Sequence, residues 1–345
     1  MRCYYIFFLA IIGLIASCTL TETDSDSQKK SDEKTREAQH EKLSSWAEGP
    51  RSEILNWVEA VTNEGSADFI PVSDRIAVFD NDGTLWSEKP AYFQILFVMD
   101  RIKEMAQDHP EWKNEQPFKA ALENDMQILH EQGMEGLMTL LMATHAGMTN
   151  KEFNEAVHDW LSTSKHPARQ RPYTELVYQP MLELIQYLTK NDFKVFIVSG
   201  GGIDFMRVWV EDVYGIPKSQ VIGSTIKKEY SFEDGVPVIK RLAQIDHIDD
   251  KEGKPESIDK FIGRKPVFSA GNSDGDLQMM RYTDSNTYPS FKLYIHHTDS
   301  IREWAYDRNS SIGRFDKALD EAREKNWLVV DMKEDFEEIF SFENK

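Results

Sequence analysis

Only two cysteines occur in 345 residues, Cys3 and Cys18, so nothing beyond position 18 can form a disulfide or serve as a thiol nucleophile. Basic charge is scarce as well. Forty Lys and Arg face 59 Asp and Glu, a formal net charge of −19, and no basic cluster relieves it, which argues against a nucleic-acid partner. No repeat period marks a solenoid or a propeller. The apolar run from Tyr4 to Ile15 is too short for a comfortable membrane span, which takes about 20 residues. What the chain does possess is a 40% hydrophobic content with eight Trp, enough for a large packed core.

The apolar run follows Arg2 and ends in Ile15-Ala16-Ser17-Cys18, which resembles a bacterial lipobox. That resemblance implies a signal peptide at 1–17, lipidation of Cys18, and an exported protein anchored to a bacterial membrane. Residues 18–44 are rich in Ser, Thr, Asp, Glu and Lys and nearly free of apolar side chains. Such a segment buries too little surface to offset its ordering entropy, so it reads as a flexible tether.

Beyond the tether a helix is expected over Ser45–Glu64. Arg75–Phe79, Lys194–Val198, Gln220–Ile222, Val267–Ala270, Leu293–Ile295 and Leu328–Val330 are short apolar runs of the kind found in buried strands. Helical stretches at Met181–Lys190, Ile203–Val213 and Leu277–Tyr282 alternate with them. This order predicts a Rossmann-like α/β fold, a parallel sheet with helices on both faces, formed by 45–88 and 172–345. Ligands of such sheets bind outside the carboxyl ends of the strands, where Asp80, Ser199 and Gly271-Asn272 fall.

Between the first two strands, 89–171 has helical spacing at Tyr92–Asp108, Pro117–Gln132, Met134–Ala146 and Lys151–Leu161, with a capping box at Thr149-Asn150-Lys151-Glu152. A simple crossover needs one helix, so this is an inserted helical module. Its methionines (Met134, Met138, Met142, Met148) are read as core filling. Trp86, Tyr92 and Phe93 are likewise assigned to core packing rather than to an aromatic cage.

Three turns carry chemistry. Asp80-Asn81-Asp82-Gly83-Thr84 puts two carboxylates at i and i+2 directly after a strand, where one can attack and the other handle a proton. The turn does not continue as an EF-hand calcium loop. Ser199-Gly200-Gly201-Gly202 lets backbone N–H groups approach a phosphate at a helix start. Gly271-Asn272-Ser273-Asp274-Gly275-Asp276 clusters oxygens suited to a hard cation such as Mg²⁺. Lys251 and Lys254 lie upstream of this last turn in a polar stretch. His296-His297 with Asp299 is given no functional role, because adjacent strand residues point to opposite faces.

In that order the pieces resemble the haloacid dehalogenase-like (HAD) phosphohydrolase superfamily, over about Arg75 to Tyr282. The resemblance implies a Mg²⁺-dependent phosphomonoester hydrolase working through an aspartyl-phosphate on a small phosphorylated metabolite. It casts Asp80 as nucleophile and Mg²⁺ ligand, and Asp82 as general acid/base that lends its carbonyl to the metal. Thr84, Ser199, Gly200 and Gly201 become substrate-binding residues. Lys254 (or Lys251) becomes the charge-stabilising lysine, and Asn272 and Asp276 complete the metal site. It also makes 89–171 a C1-type cap, as in the phosphoserine phosphatase-like branch, and the stretch between Ser199 and Lys254 is too short for a large second cap. Asn272 departs from the usual acidic ligand and leaves one negative charge missing. A phosphotransferase and a non-catalytic binding lipoprotein on the same fold are the alternatives.

Overall fold

The computed structural model of the protein describes residues 43–343. The expected signal peptide, Cys18 and the tether as far as Lys42 lie outside the described residues. Leu43 and Ser44, which the sequence assigns to the tether, are held by the fold: Leu43 is fully buried, and the Ser44 hydroxyl donates to Glu183 Oε1 at 3.2 Å. Among the described residues no helix is long and apolar enough to cross a membrane.

Seven strands form one sheet: β1 (Ile76–Phe79), β2 (Lys194–Gly202), β3 (Val221–Glu233), β4 (Val236–His247), β5 (Phe268–Gly271), β6 (Phe291–His296) and β7 (Leu328–Asp331). Their spatial order is β4-β3-β2-β1-β5-β6-β7, and every pair is parallel except β3 with β4. The continuous apolar runs have their cause in this layout. Ala77, Phe79, Val195 and Ile197 enter the main core on one face, while Ile76, Val78, Phe196 and Val198 pack with Ile258 and Met279 on the other. Both faces are covered, as the expected α/β fold requires. Strand β1 sits between β2 and β5, so the chain reverses its winding there and opens a crevice beyond the end of β1.

Helix α1 (Glu48–Thr62) precedes the sheet. The inserted segment holds α2 (Phe93–Met105), α3 (Phe118–Glu123), α4 (Met126–Glu131), α5 (Gly133–His145) and α6 (Asn150–Thr163). The helix expected over Pro117–Gln132 is two helices, because Asn124 adopts φ 57° and Asp125 caps a new start by accepting from Ile128 N–H. The capping box of Thr149 and Glu152 is present at the head of α6. Helix α2 buries Phe93, Phe97, Val98 and Ile102 in the main core, which ties the inserted segment to the sheet layer.

The largest departure from the sequence reading is β3 and β4. Only Gln220–Ile222 reads as strand from its apolarity, yet the two strands form a hairpin of 13 and 12 residues. The hairpin turns at Asp234-Gly235, both at positive φ (48° and 81°), which is the signal that marks it in the sequence. Its arms alternate charged with apolar residues, so no buried-strand run announces them.

Candidate active site

The crevice beyond β1, β2 and β5 leads into a cavity of about 330 Å³. Asp80 lies at the end of β1, where its N–H donates to the Ala270 carbonyl of β5 at 2.9 Å, and its side chain lines the cavity. Lys254, on α10 (Gly253–Phe261, after the short helices α7–α9 at Gln179–Lys190, Ile203–Met206 and Val210–Tyr214), is 2% exposed. Its ammonium donates to Asp80 Oδ1 at 2.6 Å, Asp276 Oδ1 at 2.6 Å and the Val198 carbonyl at 2.9 Å. Lys251 is exposed at the surface with a positive φ of 51°, so Lys254 is the lysine brought to Asp80.

Charge is finely placed here. Burial alone would lower the Lys254 pKa, but Asp276 and Asp80 outweigh it and hold the group well above its ordinary value. Burial, then the Asp276 charge, push the Asp80 carboxyl up, against the pull of Lys254. Asp82 stands half-buried at the cavity wall, and burial raises its carboxyl to about 6, opposed by the Trp86 indole N–H, which donates to Asp82 Oδ1 at 2.7 Å. Trp86 stacks on Trp209 with ring centroids 4.0 Å apart, and Phe93 is fully buried, so both belong to the core as expected; Tyr92 lines the cavity.

Ser199 is buried at the turn of β2, and its Oγ accepts from the Gly201 N–H at 3.1 Å. The Gly201 N–H is therefore already engaged, whereas a free donor to phosphate was expected of it. Gly202 N–H donates to Gln94 Oε1 at 2.7 Å. The helix expected over Ile203–Val213 is two pieces of four and five residues, so little helix dipole stands behind this loop. Gly200 lines the cavity beside Ser199.

Two expected contacts change place. Thr84, expected to bind substrate, is completely buried and does not line the cavity, and its hydroxyl donates to Asn272 Oδ1 at 3.2 Å. Asn272 donates through Nδ2 to Glu88 Oε1 at 2.8 Å, which also accepts from the Tyr306 hydroxyl at 2.7 Å. Glu88 was not singled out in the sequence. It lines the cavity and puts a carboxyl group beside the position where Asn272 lacks one, and burial pushes the pKa of that group up, against the hydrogen bond from Tyr306. A Cβ at Gly83 (φ 73°) would collide with both Asn272 and Glu88, so glycine there is a condition of this packing. Asp276 uses Oδ1 on Lys254 and Oδ2 on the N–H groups of Asn272 and Ser273, both at 3.0 Å.

His297, given no functional role on the sequence, donates from Nε2 to the Gly83 carbonyl at 2.7 Å and so braces the Asp80–Thr84 turn. Burial pushes its pKa down to about 3, which keeps the ring neutral. His296 lies 3.7 Å from Asp307, and Asp299 pairs with Arg302.

The donors facing this end of the cavity are hard oxygens, the chemistry that suits Mg²⁺. Among the described residues no three His, Cys, Asp or Glu side chains are grouped to enclose an ion by themselves. The set fits a cation that keeps several of its own waters, which is the habit of Mg²⁺.

The far end of the cavity differs. Met134, Leu137, Met138 and Leu141, at i, i+3, i+4 and i+7 on α5, present one helix face to it. Met134 is 58% exposed, so Met134 and Met138 line the cavity instead of filling the core as the sequence suggested. Ile226 and Ile245 of the hairpin also line it, giving the cap two parts, one helical and one β.

A model of the haloacid dehalogenase-like hydrolase family matches residues 77–281, well over half of the chain, and the protein belongs to that family. No curated protein matches it. Solved structures similar to it include a protein of unknown function from Anaerococcus prevotii (17% identity, 81% of this chain and 90% of that one, TM-score 0.48). Others are a phosphoserine phosphohydrolase-like protein from Francisella tularensis (18%, 64% and 87%, TM-score 0.37) and a probable phosphoserine phosphatase from Vibrio cholerae (15%, 72% and 64%, TM-score 0.37). At these identities and scores the likenesses say nothing of what this chain acts on.

Proposed function

We propose that this HAD-family hydrolase removes phosphate from small phosphomonoesters, with Asp80 as the nucleophile. The observation that carries the reading is the buried ammonium of Lys254, held 2.6 Å from Asp80 and anchored by Asp276 where the strand ends line the cavity. A carboxylate that attacks an anionic phosphate needs fixed positive charge beside it, and Lys254 supplies that charge already oriented. Asp82, oriented by Trp86, would protonate the leaving alkoxide and then take the proton of the attacking water. Ser199 and Gly200 would contact phosphoryl oxygens.

Asp80 and the main-chain carbonyl of Asp82 would hold Mg²⁺, with Glu88 fixing Asn272 behind them. When bound, Mg²⁺ offsets the repulsion between the carboxylate and the phosphate. The lipobox reading supports an exported, lipid-anchored protein. Cys18→Ser is expected to move the protein from the membrane to the soluble fraction, and retention in the membrane would sink that reading.

The mechanism is tested by incubating wild type and Asp80→Asn with BeF₃⁻ or an aryl phosphate and mapping the modified residue by mass spectrometry. Modification at Asp80 that disappears in Asp80→Asn is expected. A phosphoryl group on another residue, or no turnover of any ester, overturns the proposal.

A further inference from the structure

The cavity has a charged end and an apolar end. At the strand end stand Asp80, Asp82, Glu88 and Lys254, with Asp250 beside Gly200 and Gly275. At the cap end the α5 face of Met134, Leu137, Met138 and Leu141 meets the hairpin residues Ile226 and Ile245.

The charges present at the cap end are already paired. Arg241 is 1% exposed, lies 2.9 Å from Asp204 in an ion pair, donates to Asn150 Oδ1 at 3.0 Å and stacks on Phe153 at 4.0 Å. Asp204 is held a second time by Lys228 at 2.7 Å. His145 is buried against Thr144 and Gln94, and burial drives its pKa down to about 3, so it carries no charge near neutral pH. Gln94, Ser224 and Thr225 are neutral. A ligand bearing an ammonium and a carboxylate would have to leave both in a half-cavity without a free counter-charge, a heavy desolvation cost. An alkyl or aryl group meets none of that cost and gains by covering the exposed apolar face.

Building on the phosphatase reading above, we propose that the substrates are phosphate monoesters of short apolar alcohols, and that phosphorylated amino acids are discriminated against. The phosphate would sit at Lys254 and Ser199, and the alkyl or aryl group would lie along the α5 face. A cavity of about 330 Å³ is at the small end for ligand sites, so it suits one short chain or a single ring.

Two measurements on the full chain test this: hydrolysis of an ethyl-to-hexyl phosphate series beside O-phosphoserine, and calorimetric binding of the matching alkylphosphonates, which cannot turn over. Each added methylene is expected to raise kcat/KM and phosphonate affinity about fourfold, the ratio given by ~0.8 kcal/mol per buried CH₂. Phosphoserine is expected to fall at least about tenfold below butyl phosphate. Met138→Glu is expected to flatten the series, and Met134→Glu, at an exposed position that tolerates charge, serves as a second variant if Met138→Glu does not fold. Esters hydrolysed without chain-length dependence, or with phosphoserine preferred, overturn the apolar-substrate inference and leave the phosphatase reading intact. Phosphonates that bind more tightly with length, in a protein that hydrolyses no ester, leave the apolar-ligand assignment of the cap end standing and overturn the phosphatase reading.

Discussion

The two ends of the cavity are built on opposite principles. The strand end is made of short turns rigidly placed by a parallel sheet, and its polar atoms are fixed by partners: Lys254 by three acceptors, Asp276 by four donor groups, Asn272 by Thr84 and Glu88. The cap end is made of one helix face and a two-stranded ribbon, and its surface is apolar and partly exposed. Chemistry needs preorganised charge, whereas selection among leaving groups can be left to shape and apolar area. Changes at the strand end should therefore slow the chemical step of every ester, to a degree set by how much help its leaving group needs. Changes at the cap end should alter the ratio between esters.

The largest effect is expected at Asp82. Asp82→Asn should lower kcat about 10²–10⁴-fold for alkyl phosphates, the usual worth of general acid–base help. The loss should be smaller for an aryl phosphate, whose leaving group needs little protonation. Equal losses for both would mean that Asp82 does not protonate the leaving group.

Lys254→Met comes next. Loss of one preorganised charge-stabilising donor typically costs about 10²–10³ in kcat. Removing the ammonium also leaves Asp80 and Asp276 as buried carboxylates sharing no cation, so a drop in unfolding free energy of about 3–5 kcal/mol is expected by denaturant titration. Unchanged stability with reduced activity would show that the lysine is not what holds the two carboxylates.

Glu88 gives a third test, read by metal binding. Glu88→Gln is expected to weaken Mg²⁺ binding about 10–100-fold by calorimetry, the usual effect of losing a partner that orients a metal site. Asn272→Asp would set a second carboxylate against Glu88 at hydrogen-bond distance and should be destabilised. The double substitution Asn272→Asp with Glu88→Gln restores one acid and one amide, and should recover most of what each single change loses. Simple additivity of the two changes would argue that the residues do not act as a pair.

The same contrast explains what could be read from the sequence. The strand end was legible where its residues follow a short apolar run within a few positions, as Asp80, Ser199 and Asn272 do, marking three strand ends without reference to contacts. Lys254 could be narrowed only to a pair, since a lysine in a polar stretch carries no mark of burial until α10 carries it under the sheet. Glu88 was missed because it lies outside the turn, and its partners Asn272 and Tyr306 are 184 and 218 residues away. The cap end was illegible for a further reason. An apolar stripe facing a cavity has the same spacing as one facing a core, so Met134 and Met138 could not be told from core residues. The hairpin failed the apolar-run criterion because its strands extend into solvent, and only the Asp-Gly turn announced it.

The smallest effect tests the cap end through stability. His145 is buried, and burial, with Arg241 adding to it and Asp204 opposing, lowers its pKa to about 3. Because the unfolded chain binds this proton near the ordinary value of about 6.5, the native state loses ground as the pH falls from there toward 3. The stabilising contribution is thus complete above about 6.5 and falls by up to about 1.4 kcal/mol for each unit below it. His145→Gln cannot take up the proton and keeps an amide to face Gln94 and Thr144. At pH 7.5 the wild type should be the more stable protein in urea unfolding. By pH 5 its advantage should shrink by about 2 kcal/mol or reverse. His297, buried neutral beside the strand-end turn, is present in both proteins and cancels in the difference. A gap between wild type and variant that is the same at both pH values would mean that His145 titrates normally. The cap end would then be wetter than its apolar face implies, and the discrimination against charged leaving groups should weaken with it.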